Sequence, residues 1–153
     1  MKVLVVEDSV EKKIEILALL RKYGLDNYCI DDNARDGYYS ATDDEYDLFI
    51  CDMDIPKNGS FPIIDDELEG LNLIKELMHS DIKIPTIIYS PLEIAEAKIN
   101  HLKDSGYPLI GHAKDSSQVD EYMEERFFAQ DETLEDYFAL AKVIPRFRRK
   151  NQE

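Results

Sequence analysis

The sequence predicts an α/β fold in which short parallel strands alternate with helices. Short apolar runs typical of buried strands recur as far as Ala113, and the segments between them carry apolar residues at helical spacing. Parallel strands need crossover connections of this kind, and their helices cover both faces of the sheet. Several of the runs also end in polar residues, and ligands bind in such a fold just outside the carboxyl ends of the strands.

The alternation defines each element in turn. Ser9 is a good cap for the first helix, and Gly24 is a good stop for it. Asp65 or Asp66 is expected to cap the third helix, which ends at His79. Strands are predicted at about 2–6, 27–31, 47–51, 83–89 and 108–113, and helices at 10–23, 35–42, from 65 or 66 to 79, and 93–104.

After Lys114 the alternation stops and two helical patterns follow. Pro145 should end or kink the second of them. The first pattern consists of Val119, Tyr122, Met123 and Phe127, and the second of Leu134, Tyr137, Phe138 and Ala141.

Composition limits the class of protein. With 153 residues and 44% hydrophobic content, the chain fits one globular domain, expected over 1–150 with added segments at about 57–66 and 116–130. A basic tail is expected at 146–153. The formal charge of −15 disfavours nucleic acid and anionic membranes as partners. No signal peptide is expected, no apolar run is long enough to span a bilayer, and Cys29 and Cys51 suggest buried thiols, so a cytoplasmic location is expected.

Acidic residues follow the first and third strands. Glu7 and Asp8 follow the first, and Asp52 and Asp54 come at the end of the third. Carboxylates crowded at one edge repel one another and need a cation or raised pKa values. Oxygen-only ligands suit Mg²⁺. A carboxylate beside that ion can accept a phosphoryl group as an acyl phosphate.

A hydroxyl and an ammonium follow the next two strands. Ser90 ends the fourth strand and Lys114 ends the fifth, and both can offset charge on a transferring phosphoryl group. An acid after any single strand is usually a turn former or a helix cap. The combination of acids, hydroxyl and ammonium on consecutive strand ends therefore carries the hypothesis of a phosphoryl site.

The same order of parts resembles the receiver domain of two-component response regulators over nearly the whole chain. The resemblance implies a (βα)5 doubly wound parallel sheet in a flavodoxin-like, CheY-like α/β/α sandwich. The matching stretches are Val3-Leu-Val-Val-Glu-Asp8, Ala34-Arg-Asp-Gly37-Tyr-Tyr-Ser-Ala41, Tyr46-Asp-Leu-Phe-Ile-Cys-Asp52-Met-Asp-Ile-Pro56, Gly70-Leu71, Ile84-Pro-Thr-Ile-Ile-Tyr-Ser90 and Lys114.

The resemblance also implies roles for these residues. Asp52 would be the phosphoacceptor, and Ser90 and Lys114 would hold the phosphoryl oxygens. Asp8 would bind Mg²⁺ directly and Glu7 through water, with Asp52 and the backbone carbonyl of Asp54 completing the protein ligands. The phosphodonor would be a histidine kinase or a phosphotransfer protein, and the output would be binding of another protein.

Four positions depart from the family pattern. Pro91 replaces a residue whose backbone N–H contacts the phosphoryl group, and proline has no N–H. Asp54 adds negative charge beside the site. Asp115 replaces the usual proline after the lysine, and Gly111 stands where an aromatic switch residue is usual, with His112 as a weak substitute.

These observations leave three hypotheses. The leading one is a stand-alone phosphoacceptor receiver that is not an enzyme beyond catalysing its own phosphorylation and dephosphorylation. The second is a degenerate receiver-like interaction module without phosphorelay activity, indicated by Pro91, Asp54, Asp115 and the two added segments. The third is a haloacid-dehalogenase-like phosphohydrolase, with Asp52 and Asp54 as nucleophile and general acid. No later strand ending in paired acids is predicted to support it. The sequence leaves the oligomeric state, monomer or homodimer, open.

Overall fold

Five parallel strands form one sheet in a computed structural model, which describes residues 1–56 and 67–129. Their order across the sheet is β2-β1-β3-β4-β5, and every neighbouring pair is parallel. This topology confirms the predicted doubly wound α/β fold. The strands are β1 (Val3–Val6), β2 (Tyr28–Asp31), β3 (Leu48–Cys51), β4 (Thr86–Tyr89) and β5 (Leu109–Ala113).

Helices cover both faces of this sheet and complete three layers. Three helices pack against one face of the sheet and form a large apolar cluster with it. Two helices pack against the other face of the sheet and form a second cluster. On the first face lie α2 (Ala34–Asp43), α3 (Glu69–His79) and α4 (Glu96–Asp104), and on the second lie α1 (Val10–Lys22) and α5 (Ser116–Met123), which continues as a π-helix over Glu124–Phe128.

The central strands are apolar throughout because both of their faces are covered. In β1, Leu4 and Val6 contribute to the first cluster, whereas Val3 and Val5 contribute to the second. All four side chains are fully buried. A strand buried in this way cannot slip by a residue without moving its apolar side chains to the wrong layer, so the positions of the strand ends are well determined.

Helix starts agree with the sequence prediction at α1 but not at α3. Ser9 caps α1, and its hydroxyl accepts a hydrogen bond from the Lys12 backbone N–H at 3.4 Å. The prediction of Asp65 or Asp66 as the cap of α3 is wrong, because the N-cap is Leu68 and it makes no side-chain capping bond. A tertiary contact fixes this start instead, since the backbone N–H of Gly70 donates to the carbonyl of Met53 at 3.0 Å.

The helix predicted after Lys114 is present as α5. Val119 and Met123 are buried against the sheet. Beyond them the π-helix brings Phe128 onto the ring of Tyr23, with ring centroids 4.3 Å apart and nearly parallel planes. Within the described residues, no helix is both long and apolar enough to cross a bilayer.

Other expectations fall outside the described residues or stay predictions. The division into one domain with added segments at about 57–66 and 116–130 stays a prediction. Outside the described residues lie most of the loop after Asp52, the helix predicted from Leu134, Tyr137, Phe138 and Ala141, and the basic tail at 146–153.

Replacement of Gly70 by alanine should destabilise the fold strongly. A Cβ at this position would lie 2.6 Å from Met53 Cα and would also collide with the backbone carbonyl of Asp52. Since backbone atoms cannot move aside cheaply, we expect a loss of about 2–3 kcal/mol, measured by urea unfolding.

Gly24→Ala is the matched control. Nothing lies within 4 Å of its added Cβ, and the only cost is its left-handed backbone at φ +69°. That cost is about 1 kcal/mol. Equal losses in the two variants would contradict the close approach of α3 to the end of β3.

Candidate functional site

The register between β1 and β3 places two acidic residues side by side. Val6 pairs with Cys51, and the backbone N–H of Asp52 donates to the Val6 carbonyl at 3.0 Å. The next residues, Glu7 and Asp52, therefore leave adjacent strands at the same level. Both are buried, with exposed fractions of 1% and 3%.

Asp8 adds a third carboxylate to this pair. Ligand oxygens of Glu7, Asp8 and Asp52 all lie within 4.8 Å of one another, and Asp8 reaches solvent. The buried Oε1 atom of Glu7 has no hydrogen-bond partner. A buried carboxylate oxygen left unpaired is costly, and a divalent cation would satisfy it. The all-oxygen donor set, with one face open to water, therefore fits Mg²⁺ or Mn²⁺.

Burial and crowding change the protonation of Glu7. The pKa of its carboxyl group is raised from 4.5 to about 8, mainly by loss of water and next by the neighbouring charge of Asp52. The backbone N–H of Ser9, which donates to Glu7 Oε2 at 3.1 Å, and the ammonium of Lys12 act in the opposite direction. In the absence of a metal ion, Glu7 therefore holds a proton that a solvated glutamate would have lost.

Lys12 is a site residue that the sequence reasoning missed. Its Nζ lies 3.3 Å from Asp52 Oδ2 and 3.6 Å from Glu7 Oε1. The available signal was its place in the first turn of α1, four residues after Asp8. Lysine is disfavoured there by the helix dipole unless an anion lies nearby.

A cavity of about 370 Å³ opens beside the acids. The exposed carboxylate of Asp54 borders it, and the backbone N–H of Asp54 donates to Asp52 Oδ1 at 3.3 Å. Pro91 also borders the cavity and has no backbone N–H to offer it. The lining residues are Asp8, Ser9, Lys12, Asp52, Asp54, Ile55, Pro56, Pro91 and Leu92.

The predicted hydroxyl and ammonium lie at the ends of the correct strands, and in residues 1–56 and 67–129 neither forms a hydrogen bond or an ion pair with the acids. Ser90 is fully buried at the end of β4, and its hydroxyl accepts a hydrogen bond from the Leu92 N–H at 3.3 Å. The Lys114 ammonium forms an exposed ion pair with Glu93 in the loop after β4. Among the described residues, no ion pair joins Lys114 to the acid cluster.

Two of the unusual positions near Lys114 have structural explanations. Asp115 is the N-cap of α5, and its carboxylate accepts a hydrogen bond from the Gln118 N–H at 2.9 Å. Gly111 lies under the ring of Tyr122 from α5, where any larger side chain would collide with that ring. A ring nitrogen of His112 hydrogen-bonds the Ser90 carbonyl at 2.8 Å and links β5 to the start of the β4–α4 loop.

Comparison with known proteins identifies the fold. No family model and no curated protein matches the sequence. The chemotaxis protein CheY4 of Vibrio cholerae is 19% identical, with a TM-score of 0.60 over 81% of this chain and 96% of that one. The receiver domain of the sensor histidine kinase PA1611 from Pseudomonas aeruginosa, with magnesium in its active-site cleft, is 20% identical, with a TM-score of 0.60 over 81% and 94% of the two chains. The Mn²⁺-bound response regulator Rcp1 is 14% identical, with a TM-score of 0.63 over 83% and 94% of the chains.

The fold is therefore that of CheY-like response regulator receiver domains, as the sequence resemblance implied. At the position of the predicted site this chain carries a buried acidic cluster that can hold a divalent cation. The described residues contain no strand after β5, so the paired acids expected of a haloacid-dehalogenase-like enzyme have no counterpart there.

The raised pKa of Glu7 predicts a pH-dependent stability in metal-free protein. Between pH 4.5 and about 8 the folded state keeps a proton that the unfolded chain releases, so stability falls as the pH rises through this range. Glu7→Gln removes this effect. In EDTA, we therefore expect the variant to gain in melting temperature over the wild type as the pH increases, as measured by circular dichroism.

Glu11→Gln is the control, because it replaces the same kind of side chain at an exposed position on α1. Its melting temperature should follow that of the wild type across the range. Parallel curves for Glu7→Gln and the wild type would show that Glu7 ionises normally.

Proposed function

We propose that this chain is a phosphoacceptor receiver of a two-component system. Asp52 accepts the phosphoryl group, and the product controls binding of a protein partner. The observation that supports this most is the convergence of Glu7, Asp8 and Asp52 at the end of a receiver-type sheet. The phosphodonor is a histidine kinase or a phosphotransfer protein, and the site of action is the cytoplasm.

Asp52 fits the role of nucleophile. An oxygen of its carboxylate attacks the phosphorus of the donor, an O–P bond forms, and the bond from phosphorus to the donor breaks with its electron pair leaving on the donor atom. The open cavity beside Asp52 admits the phosphoryl group. The backbone N–H of Asp54 already orients Oδ1.

The acids also fit the binding of Mg²⁺. Asp8 and Asp52 are direct ligands in this proposal, Glu7 acts through water, and the backbone carbonyl of Asp54 completes the protein ligands. When bound, the metal ion neutralises charge on the phosphoryl oxygens. Ser90 and Lys114 serve as further donors to those oxygens once the Lys114 ammonium leaves Glu93. The ion pair that joins Lys114 to Glu93 is exposed, so breaking it costs little.

A second candidate function is a receiver-like interaction module without phosphorelay activity. The ion pair of Lys114 with Glu93 and the absence of an N–H at Pro91 favour it, since both reduce the donors available to a phosphoryl group. In that case partner binding would be the same for the wild type and Asp52→Asn. A phosphate-dependent change in affinity would exclude this alternative.

Intact-mass spectrometry after incubation with acetyl phosphate and Mg²⁺ tests the leading proposal. We expect the wild type to gain the mass of one phosphoryl group and Asp52→Asn to gain none. Asp54→Asn is the matched control, because it removes the same charge at the same cavity and keeps the acceptor. The phosphoacceptor function would be refuted if the wild type gains no mass and if adding beryllofluoride also leaves the protein unchanged.

Pro91→Ala tests the missing donor. Alanine supplies a backbone N–H at the edge of the cavity, and a hydrogen bond to a charged group contributes about 1.5–3 kcal/mol. We expect phosphorylation by acetyl phosphate to be about tenfold faster, a factor that corresponds to about 1.4 kcal/mol. Pro56→Ala, at another proline of the same cavity, should leave the rate unchanged. Equal rates in the two variants would show that position 91 does not contact the phosphoryl group.

A further inference from the structure

Lys12 is held against the acid cluster by several independent contacts. Its ammonium lies within ion-pair distance of both Glu7 and Asp52, and its side chain is only 20% exposed. The same ammonium lies 5.2 Å from the centre of the Tyr89 ring. Tyr89 is fixed in turn by its hydroxyl, which donates to Glu15 Oε2 at 2.6 Å.

Local helix chemistry does not explain a lysine at this position. Lys12 lies in the first turn of α1, where the helix dipole and the free N–H groups favour anions. Its own backbone N–H is already satisfied by Ser9. The two buried carboxylates are therefore the interaction that accounts for the position of its ammonium.

We propose that Lys12 is a tethered counter-ion that occupies the acid cluster until a divalent cation enters. This inference rests on the proposed function in one respect, namely that the cluster is a metal site. A divalent ion placed among Glu7, Asp8 and Asp52 repels an ammonium 3.3 Å from Asp52. Metal binding must then displace Lys12, and Lys12 lowers the affinity for the metal.

The geometry makes this exchange feasible. Glu7 Oε1 lies 3.6 Å from the ammonium, too far for a hydrogen bond, so Lys12 neutralises the cluster without satisfying this oxygen. A metal ion or its water ligand satisfies it directly. Lys12 borders the open cavity, which gives its long side chain room to move away from the acids.

Binding of Mn²⁺ to metal-free protein, measured by titration calorimetry, tests the proposal. Lys12→Gln should bind Mn²⁺ about tenfold more tightly than the wild type, because the competing charge is gone. Lys13→Gln is the matched control. It removes the same charge one residue along α1, and within the described part of the chain no ion pair joins Lys13 to Glu7 or Asp52. Its affinity should stay within about twofold of the wild type.

Thermal unfolding provides a second readout. In EDTA, Lys12→Gln should melt about 3 °C below Lys13→Gln, because the acids lose their counter-ion. In saturating Mg²⁺ the difference should close.

The outcomes separate the two proposals. Mn²⁺ affinity of Lys12→Gln equal to or weaker than that of Lys13→Gln overturns the counter-ion role and leaves the proposed function intact. Equal melting of the two variants in EDTA also overturns it. No Mn²⁺ binding by any of the three proteins overturns the metal site and the inference together.

Discussion

Repulsion between buried carboxylates at the ends of β1 and β3 is the constraint on which the rest of the site depends. The parallel register of these strands is fixed by apolar side chains that fill both layers, and the acids follow directly. Glu7 and Asp52 are therefore brought together by the folding of the core. Their proximity is unfavourable by itself, so the protein must supply a proton, an ammonium or a metal ion.

The described residues offer two of these solutions at once. Burial raises the pKa of Glu7 so that it keeps its proton, and Lys12 supplies a positive charge to Asp52. A divalent cation would replace both, because it supplies more charge and binds the unpaired oxygen of Glu7. Binding of the metal is then coupled to release of a proton and to movement of a side chain, a coupling expected of a site preformed by the fold.

The sequence predicted those parts that follow from strand alternation. Glu7 and Asp52 could be placed at one edge because the strand ends are determined by apolar runs with covered faces. The start of α3 could not be predicted from the sequence. Asp65 and Asp66 have the chemistry of helix caps, whereas the actual start depends on the contact of Gly70 with the end of β3. Such a contact joins segments far apart in sequence and leaves no local signal.

Long exposed side chains were the other part that the sequence could not place. Lys114 follows β5 as predicted, but its ammonium pairs with Glu93 in the β4–α4 loop. Lys12 shows the converse. It lies on a helix, so the order of residues at the strand ends does not indicate it. Its side chain is nevertheless long enough to reach Asp52.

The arrangement of cations, more than that of acids, distinguishes this site from what the family resemblance implies. That resemblance assigns the charge opposite the acceptor to the lysine after β5. Here that lysine is linked to the loop after β4, and the same loop is tied to β5 by the bond of His112 to Ser90. The positive charge beside Asp52 comes instead from α1. In the proposed reaction, Lys114 reaches the phosphoryl group only by giving up its contact with Glu93. Because that contact joins the end of β5 to the β4–α4 loop, its loss would remove a tie between these two segments.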